Sequence, residues 1–168
     1  MKQRRLFLAA GTMVAWAASS GPALATPASG FTAVQQWKGV YQPLAINTET
    51  DRPSDKDDKW DVRLKTKDTS DLYVTRNAIA TDGHSGWHSH PGPSLITVTV
   101  GEITAYDSTD PLCSPKRYRA GDGFVDSGDH AHILRNESGA PAETVAVQFL
   151  AAGSTRRIDE PAPGNCNF

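Results

Sequence analysis

The chain has 168 residues, with 17 Lys and Arg against 19 Asp and Glu and a formal net charge of −2 at pH 7. That is the length of one domain, and the near balance of charge gives no case for a nucleic-acid partner. No run of 18 apolar residues occurs, so no segment is long and apolar enough to cross a bilayer as a helix.

Residues 1–25, MKQRRLFLAAGTMVAWAASSGPALA, read as a secretory signal. Lys2, Arg4 and Arg5 form a basic start, Leu6 to Ala18 a mildly apolar stretch, and Ala23-Leu24-Ala25 a small-x-small cleavage site. Arg4-Arg5 followed by Leu6-Phe7-Leu8 also fits twin-arginine export, with an ordinary Sec signal as the alternative. The expected location is therefore periplasmic or extracellular. Removing a segment with three basic residues and no acids leaves a more acidic chain, with no span through a membrane.

Residues 26–69 hold an expected first strand, with Val40, Leu44 and Ile46 apolar, and a charged loop over 47–59, NTETDRPSDKDDK. Asp55, Asp57 and Asp58 resemble the start of a calcium loop, but the glycine and the distal glutamate of that pattern are missing. From Asp71 the texture is β. LYVTRNAIA and SLITVTVG alternate, with Ile96, Val98 and Val100 on one side and Thr97 and Thr99 on the other. EITAYD, KRYRAG, GFVDSG, HAHILRN and ETVAVQFL follow at short spacing, punctuated by Gly, Pro, Asp and Asn. Many short period-2 runs with regular turn signals predict an all-β sandwich or barrel of two curled sheets in a single domain. The core is expected over 70–152 and a C-terminal tail over 153–168.

An exported chain meets an oxidising compartment, where two cysteines pair. Cys113 and Cys166 are the only two, and their bond would tie the tail to the domain. Closing a loop of about 50 residues stabilises by roughly 3–4 kcal/mol on the chain-entropy argument. Two free thiols are the alternative. Metal binding through cysteine is weaker still, because neither has a neighbouring histidine.

All five histidines fall in two short segments: His84, His88 and His90 in one, His130 and His132 in the other. Residues i and i+2 of a strand face the same side, so each His-x-His pair can aim two imidazoles at one point. Imidazole is the commonest metal ligand. His84 lies in the turn-like stretch TDGHSG and is not a candidate ligand. Surface decoration remains the alternative for either pair taken alone.

The two segments resemble the paired motifs of the cupin superfamily. The first falls on Gly83, His88, His90, Ser94 and Gly101, the second on Gly121, Gly128, His132 and Asn136. The likeness covers roughly residues 70–150. It implies a cupin-type jelly-roll β-barrel with His88, His90 and His132 inside as ligands of one divalent metal; His130, two residues before His132, is a further candidate. Two departures stand out. Ser127 replaces the second motif's proline, with the glycine shifted by one. Ser94 stands where the family's glutamate ligand is expected, and it shares the inward parity of His88 and His90. Neutral imidazoles suit Zn, Cu, Ni and Fe(II), and twin-arginine export of a folded protein would also permit Mn or Fe loaded inside the cell.

Two functions stay open. One is a metal-dependent oxygenase, isomerase or lyase on a small organic substrate; three histidines without the glutamate resemble cupin thiol dioxygenases at the level of ligands only. The other is a non-catalytic exported module that binds a sugar, a small metabolite or the metal itself. Ser94, Tyr106, Phe124 and Gln148 are the pocket candidates. Trp87 alternates with His88 and is expected to point away from the interior. Monomer and a homodimer by edge-strand pairing are equally compatible with the sequence.

Overall fold

A computed structural model describes residues 24–54 and 57–168. The expected signal segment up to residue 23 and Asp55 of the calcium-like run lie outside the described residues. Twelve strands follow in chain order: β1 (Ser29–Tyr41), β2 (Ala45–Asp51), β3 (Lys59–Lys65), β4 (Ser70–His84), β5 (His88–Ser89), β6 (Ser94–Val100), β7 (Glu102–Asp107), β8 (Lys116–Arg119), β9 (Gly123–Asp126), β10 (His132–Arg135), β11 (Ala142–Ala151) and β12 (Ile158–Asp159). There is no helix among the described residues. The fold is all-β, as the alternating pattern predicts.

The architecture differs in detail from two curled sheets. Ten strands form one sheet, which curls into a nearly closed barrel. Its spine is β12-β5-β10-β4-β11-β6-β9, with β1 on β4 and β7 joining β10 to β8. The second sheet is only the β2–β3 hairpin. This corrects the charged loop expected over 47–59. The hairpin pairs Ile46 with Leu64, Thr48 with Val62, Thr50 with Trp60 and Asp51 with Lys59. Those β-branched and apolar residues alternate with polar ones, a strand pattern that charge density disguised. The Asp51–Lys59 ion pair and the Leu44 N–H bond to Thr66 Oγ1 (2.9 Å) close its two ends.

Side-chain rows run across the barrel because directly paired residues share a face. One row is Ile79 and Ala142; the next is Asn77, Thr144 and Val98; the next is Thr75, Ala146, Ile96 and Phe124; the last is Tyr73, Gln148, Ser94 and Asp126. Ile79, Ala142 and Val98 of the first two rows join Ile103 and Leu134 in the core, with Phe124 of the third row packed against it. Asn77 and Thr144 pair with each other among them at 3.0 Å. The last row is polar apart from the Tyr73 ring.

Asn136 closes the packed end. It is fully buried, and its amide group donates to the carbonyls of Ile79 (3.0 Å), Ala80 (3.0 Å) and Ala140 (2.7 Å). Its Oδ1 accepts from Ser138 Oγ at 2.8 Å. The motif asparagine therefore ties β4 to the turn before β11.

Cys113 and Cys166 are disulfide-bonded. The tail is further held by Asn165, whose side chain donates to the carbonyls of Asp107 (2.8 Å) and Asp110 (2.7 Å). Phe168 then stacks on Trp87, with ring centroids 6.5 Å apart, and takes the Arg135 guanidinium on its ring at 4.0 Å. Trp87 is buried with Tyr106 and Ile133. It faces this tail, on the side of the strand opposite to His88.

Two outcomes are expected. Replacing Asn136 by Ala strands several buried carbonyls, and denaturant unfolding should show a loss of roughly 2–4 kcal/mol; a loss below about 0.5 kcal/mol would contradict the bridging role. The Cys113→Ser/Cys166→Ser chain should keep its far-UV circular dichroism yet lose roughly 2–4 kcal/mol, read from the same titration against the oxidised protein.

Candidate metal centre

The centre is built by two register pairs. His132 of β10 lies directly opposite His88 of β5, so both imidazoles leave the same face. Ser94 of β6 lies opposite Asp126 of β9 in the same way. His90 bridges the two pairs, two residues beyond His88 and four before Ser94.

Gly128 makes the placement of His90 feasible. Its φ is +83°, in the left-handed region, and a Cβ there would lie 2.2 Å from His90 Nδ1 and 2.4 Å from the Gly92 carbonyl. The Gly128 carbonyl also accepts the His90 N–H at 2.9 Å. The glycine of the second motif thus presses its backbone against the first motif.

Each ring has its Nδ1 fixed by a carbonyl two residues away. His88 Nδ1 meets Gly86 O at 3.0 Å, His90 Nδ1 meets Gly92 O at 2.6 Å, and His132 Nδ1 meets His130 O at 3.1 Å. A carbonyl oxygen only accepts, so each Nδ1 carries the proton and each neutral ring keeps its lone pair on Nε2. The three rings offer ligand atoms that all lie within 4.8 Å of one another. His132 Nε2 and His88 Nε2 are 3.2 Å apart. Two lone pairs at that distance repel, and a positive charge between them removes the repulsion.

Burial pushes the His88 pKa down to about 3, helped by the nearby Arg157 guanidinium. The ring is therefore neutral at pH 7 and competent as a ligand. Asp126 Oδ2 stands 2.5 Å from His132 Nε2 and 3.0 Å from His90 Nε2. Motif spacing does not single out this carboxylate. Its one signal was its place at the end of GFVD, on the second-motif strand.

His130 does not join the cluster. Its Nε2 meets Asp107 Oδ2 at 2.8 Å and its Nδ1 meets Asp129 Oδ1 at 2.7 Å. These two carboxylates hold the ring away from the cluster. His84 stands apart as well, at the end of β4, with its Nδ1 accepting from Gly86 N–H at 3.2 Å.

A cavity of about 220 Å³ contains the three histidines, Ser94 and Asp126, with Gln148 on its wall. Ser94 is 2% exposed and its Oγ lies 3.3 Å from His90 Nε2. Gln148 Oε1 accepts from Arg156 Nη2 at 3.0 Å. Tyr106 and Phe124, expected as pocket residues with them, line a different cavity of about 220 Å³, which shares Asp126 and His132 with the first. The Tyr106 hydroxyl donates to Glu137 at 2.9 Å, and Phe124 stacks on Tyr118 with centroids 4.2 Å apart. Phe124 belongs to the row of Ile96, one layer nearer the packed end than Ser94.

No protein-family model matches the sequence, and no curated protein matches it. Solved structures resemble it in part. Peruvianin-I, a cysteine peptidase from Thevetia peruviana latex, is 22% identical over 54% of this chain and 56% of its own, with a TM-score of 0.46. A cupin-like protein from Thermotoga maritima is 15% identical over 54% and 65%, with a TM-score of 0.48. An oxalate oxidase is 25% identical over 50% and 44%, with a TM-score of 0.42. The chain therefore spans between 44% and 65% of the length of these proteins, and cupins are among the structures it resembles.

His130 generates a prediction. Burial pulls its pKa down, but the bonds to Asp107 and Asp129 outweigh burial and raise it. A group whose folded pKa lies above its unfolded value, about 6.5, stabilises fully below that pH and loses the effect as pH rises through the folded value. His130→Gln should therefore melt below the wild type at pH 5.5 and level with it at pH 9. An equal deficit at both pH values would contradict the ion-pair role.

Proposed function

We propose that this chain is an exported cupin-type protein that holds one divalent metal through His88, His90 and His132 and acts on a small anionic organic molecule. The observation that carries the reading is the set of three Nε2 lone pairs aimed at one buried point while every Nδ1 is already committed to a carbonyl. Such fixing of the second ring nitrogen is the usual support of a metal-ligating histidine. The donor set fits Zn, Ni, Cu, Fe or Mn. When bound, the ion supplies Lewis-acid chemistry and, if redox-active, one-electron chemistry.

The rest of the cavity supports a small, negatively charged partner. At about 220 Å³ it lies below the roughly 300–1,000 Å³ of pockets for drug-sized ligands. Arg156 and Arg157 place two positive charges on its wall. Arg156 is held by Thr75 Oγ1 (2.6 Å) and Gln148 Oε1 (3.0 Å) and lies over the Tyr73 ring at 4.5 Å. Arg157 is anchored by the Ser85 carbonyl at 2.7 Å and by Asp159, whose carboxylate at 2.6 Å offsets part of its charge. Guanidinium groups held this rigidly orient a carboxylate at little entropic cost. Export is supported by the Cys113–Cys166 bond and by the signal-like residues 1–25.

The reading is tested by elemental analysis of protein recovered from native export. One metal per chain is expected, with loss of metal but retained circular dichroism in His88→Ala and His132→Ala. Metal kept at full stoichiometry in both variants would overturn the ligand assignment. With the metal identified, oxygen uptake and product formation are measured on a panel of small carboxylates, thiols and phenols. Turnover of at least one, abolished by His132→Ala, is expected; saturable binding without turnover would replace the enzyme reading with that of a binding module.

A further inference from the structure

We propose that Asp126 is the anionic ligand of this centre, supplied from the strand beside the one where the motif's carboxylate is absent. The inference rests on the reading of the histidine cluster as a metal site. Its ground is the register pair Ser94–Asp126. Side chains directly opposite each other on one face have Cβ atoms about 4.5–5.5 Å apart, so either position can deliver a carboxylate to the same point. Position 94 holds a hydroxyl that is small and buried, and position 126 holds the acid.

Three details separate a ligand from a neighbour. A single oxygen, Oδ2, faces both His132 Nε2 (2.5 Å) and His90 Nε2 (3.0 Å), the nitrogens that carry the lone pairs. The other oxygen, Oδ1, accepts the Gly128 N–H at 2.9 Å, which fixes the carboxylate with Oδ2 turned into the cluster. The side chain is only 10% exposed, and the polar side chains against it are those of His90 and His132. A buried carboxylate among neutral rings is expensive unless a cation shares its site. A dication bound by three neutral imidazoles alone would keep its full charge in a buried place; Asp126 halves it. A set of three nitrogens and one hard oxygen favours Mn, Fe, Ni or Zn over Cu(I).

The arrangement also accounts for Ser94. Carboxylates at both paired positions would repel across the strands. A serine leaves room for Asp126 and places its hydroxyl 3.3 Å from His90 Nε2.

The test uses the full chain, freed of metal, with Co(II) and Zn(II) as probes. Affinity is measured by competition with a chelator, and ligation is read from the Co(II) d–d absorption. The wild type should bind one ion. Asp126→Asn, which keeps the acceptor for Gly128, should weaken binding by at least about 100-fold, the upper limit for loss of a mere supporting partner, and should change the Co(II) spectrum. Moving the acid across the register in Asp126→Ser/Ser94→Glu should recover binding to within about tenfold of the wild type. Tight binding by Asp126→Asn with an unchanged spectrum would overturn the proposal and leave the three-histidine site standing. A folded wild type that binds neither ion would overturn the metal reading itself, and this inference with it. Should Asp126→Asn lose its circular dichroism, the swapped chain decides alone: folded and at least 100-fold weaker, it would count against the proposal.

Discussion

Three hydrogen bonds from imidazole Nδ1 to a carbonyl two residues away set the character of this protein. Gly86, Gly92 and His130 each supply the carbonyl to His88, His90 and His132. They fix which nitrogen carries the proton, and so turn three Nε2 lone pairs toward one another in a buried space. Left to themselves those lone pairs repel. The interior is therefore assembled around a place for positive charge, and the fold has to hold that place open. Gly128 does so by admitting no side chain where the two motifs touch.

The sheet supplies the rigidity this requires. Along β4, β6, β10 and β11 the inward residues pass from Ile79, Val98, Leu134 and Ala142 at one end to Tyr73, Ser94, His132 and Gln148 at the other. Apolar packing provides the driving force at the first end, and the polar end can then afford a cavity. Buried polar groups in between are paired, as Asn77 with Thr144 at 3.0 Å. The C-terminal tail is fastened outside this barrel by the disulfide and by Phe168 on Trp87. Arg156 and Arg157, early in the same tail, are held at the cavity wall by Thr75, Gln148 and the Ser85 carbonyl.

Local pattern made a large part of this legible. Strict alternation located β6 and β11 closely and gave Ser94 its inward parity. His-x-His spacing found His88 and His90 as residues sharing one face. The same spacing overreached at His130, whose ring is held by Asp107 and Asp129 instead. The charged run over 47–59 hid a hairpin, since the alternation of Ile46, Thr48 and Thr50 counted for less than the density of Asp and Lys. Tyr106 and Phe124 were sensible pocket residues by type, but their height in the barrel put them beside a second cavity.

The sequence by itself determined the all-β class, the inward parity of each strand, the histidines that can converge and the cysteines that bond. Those follow from periods of two residues and from chemistry carried within a few positions. Only the tertiary structure decided that His132 faces His88 and that Asp126 faces Ser94. Register between strands far apart in the chain is fixed by how the whole sheet closes, and a shift of one residue would send Asp126 to the opposite face. No local spacing encodes that choice, so the carboxylate at the centre became visible only once β6 and β9 lay side by side.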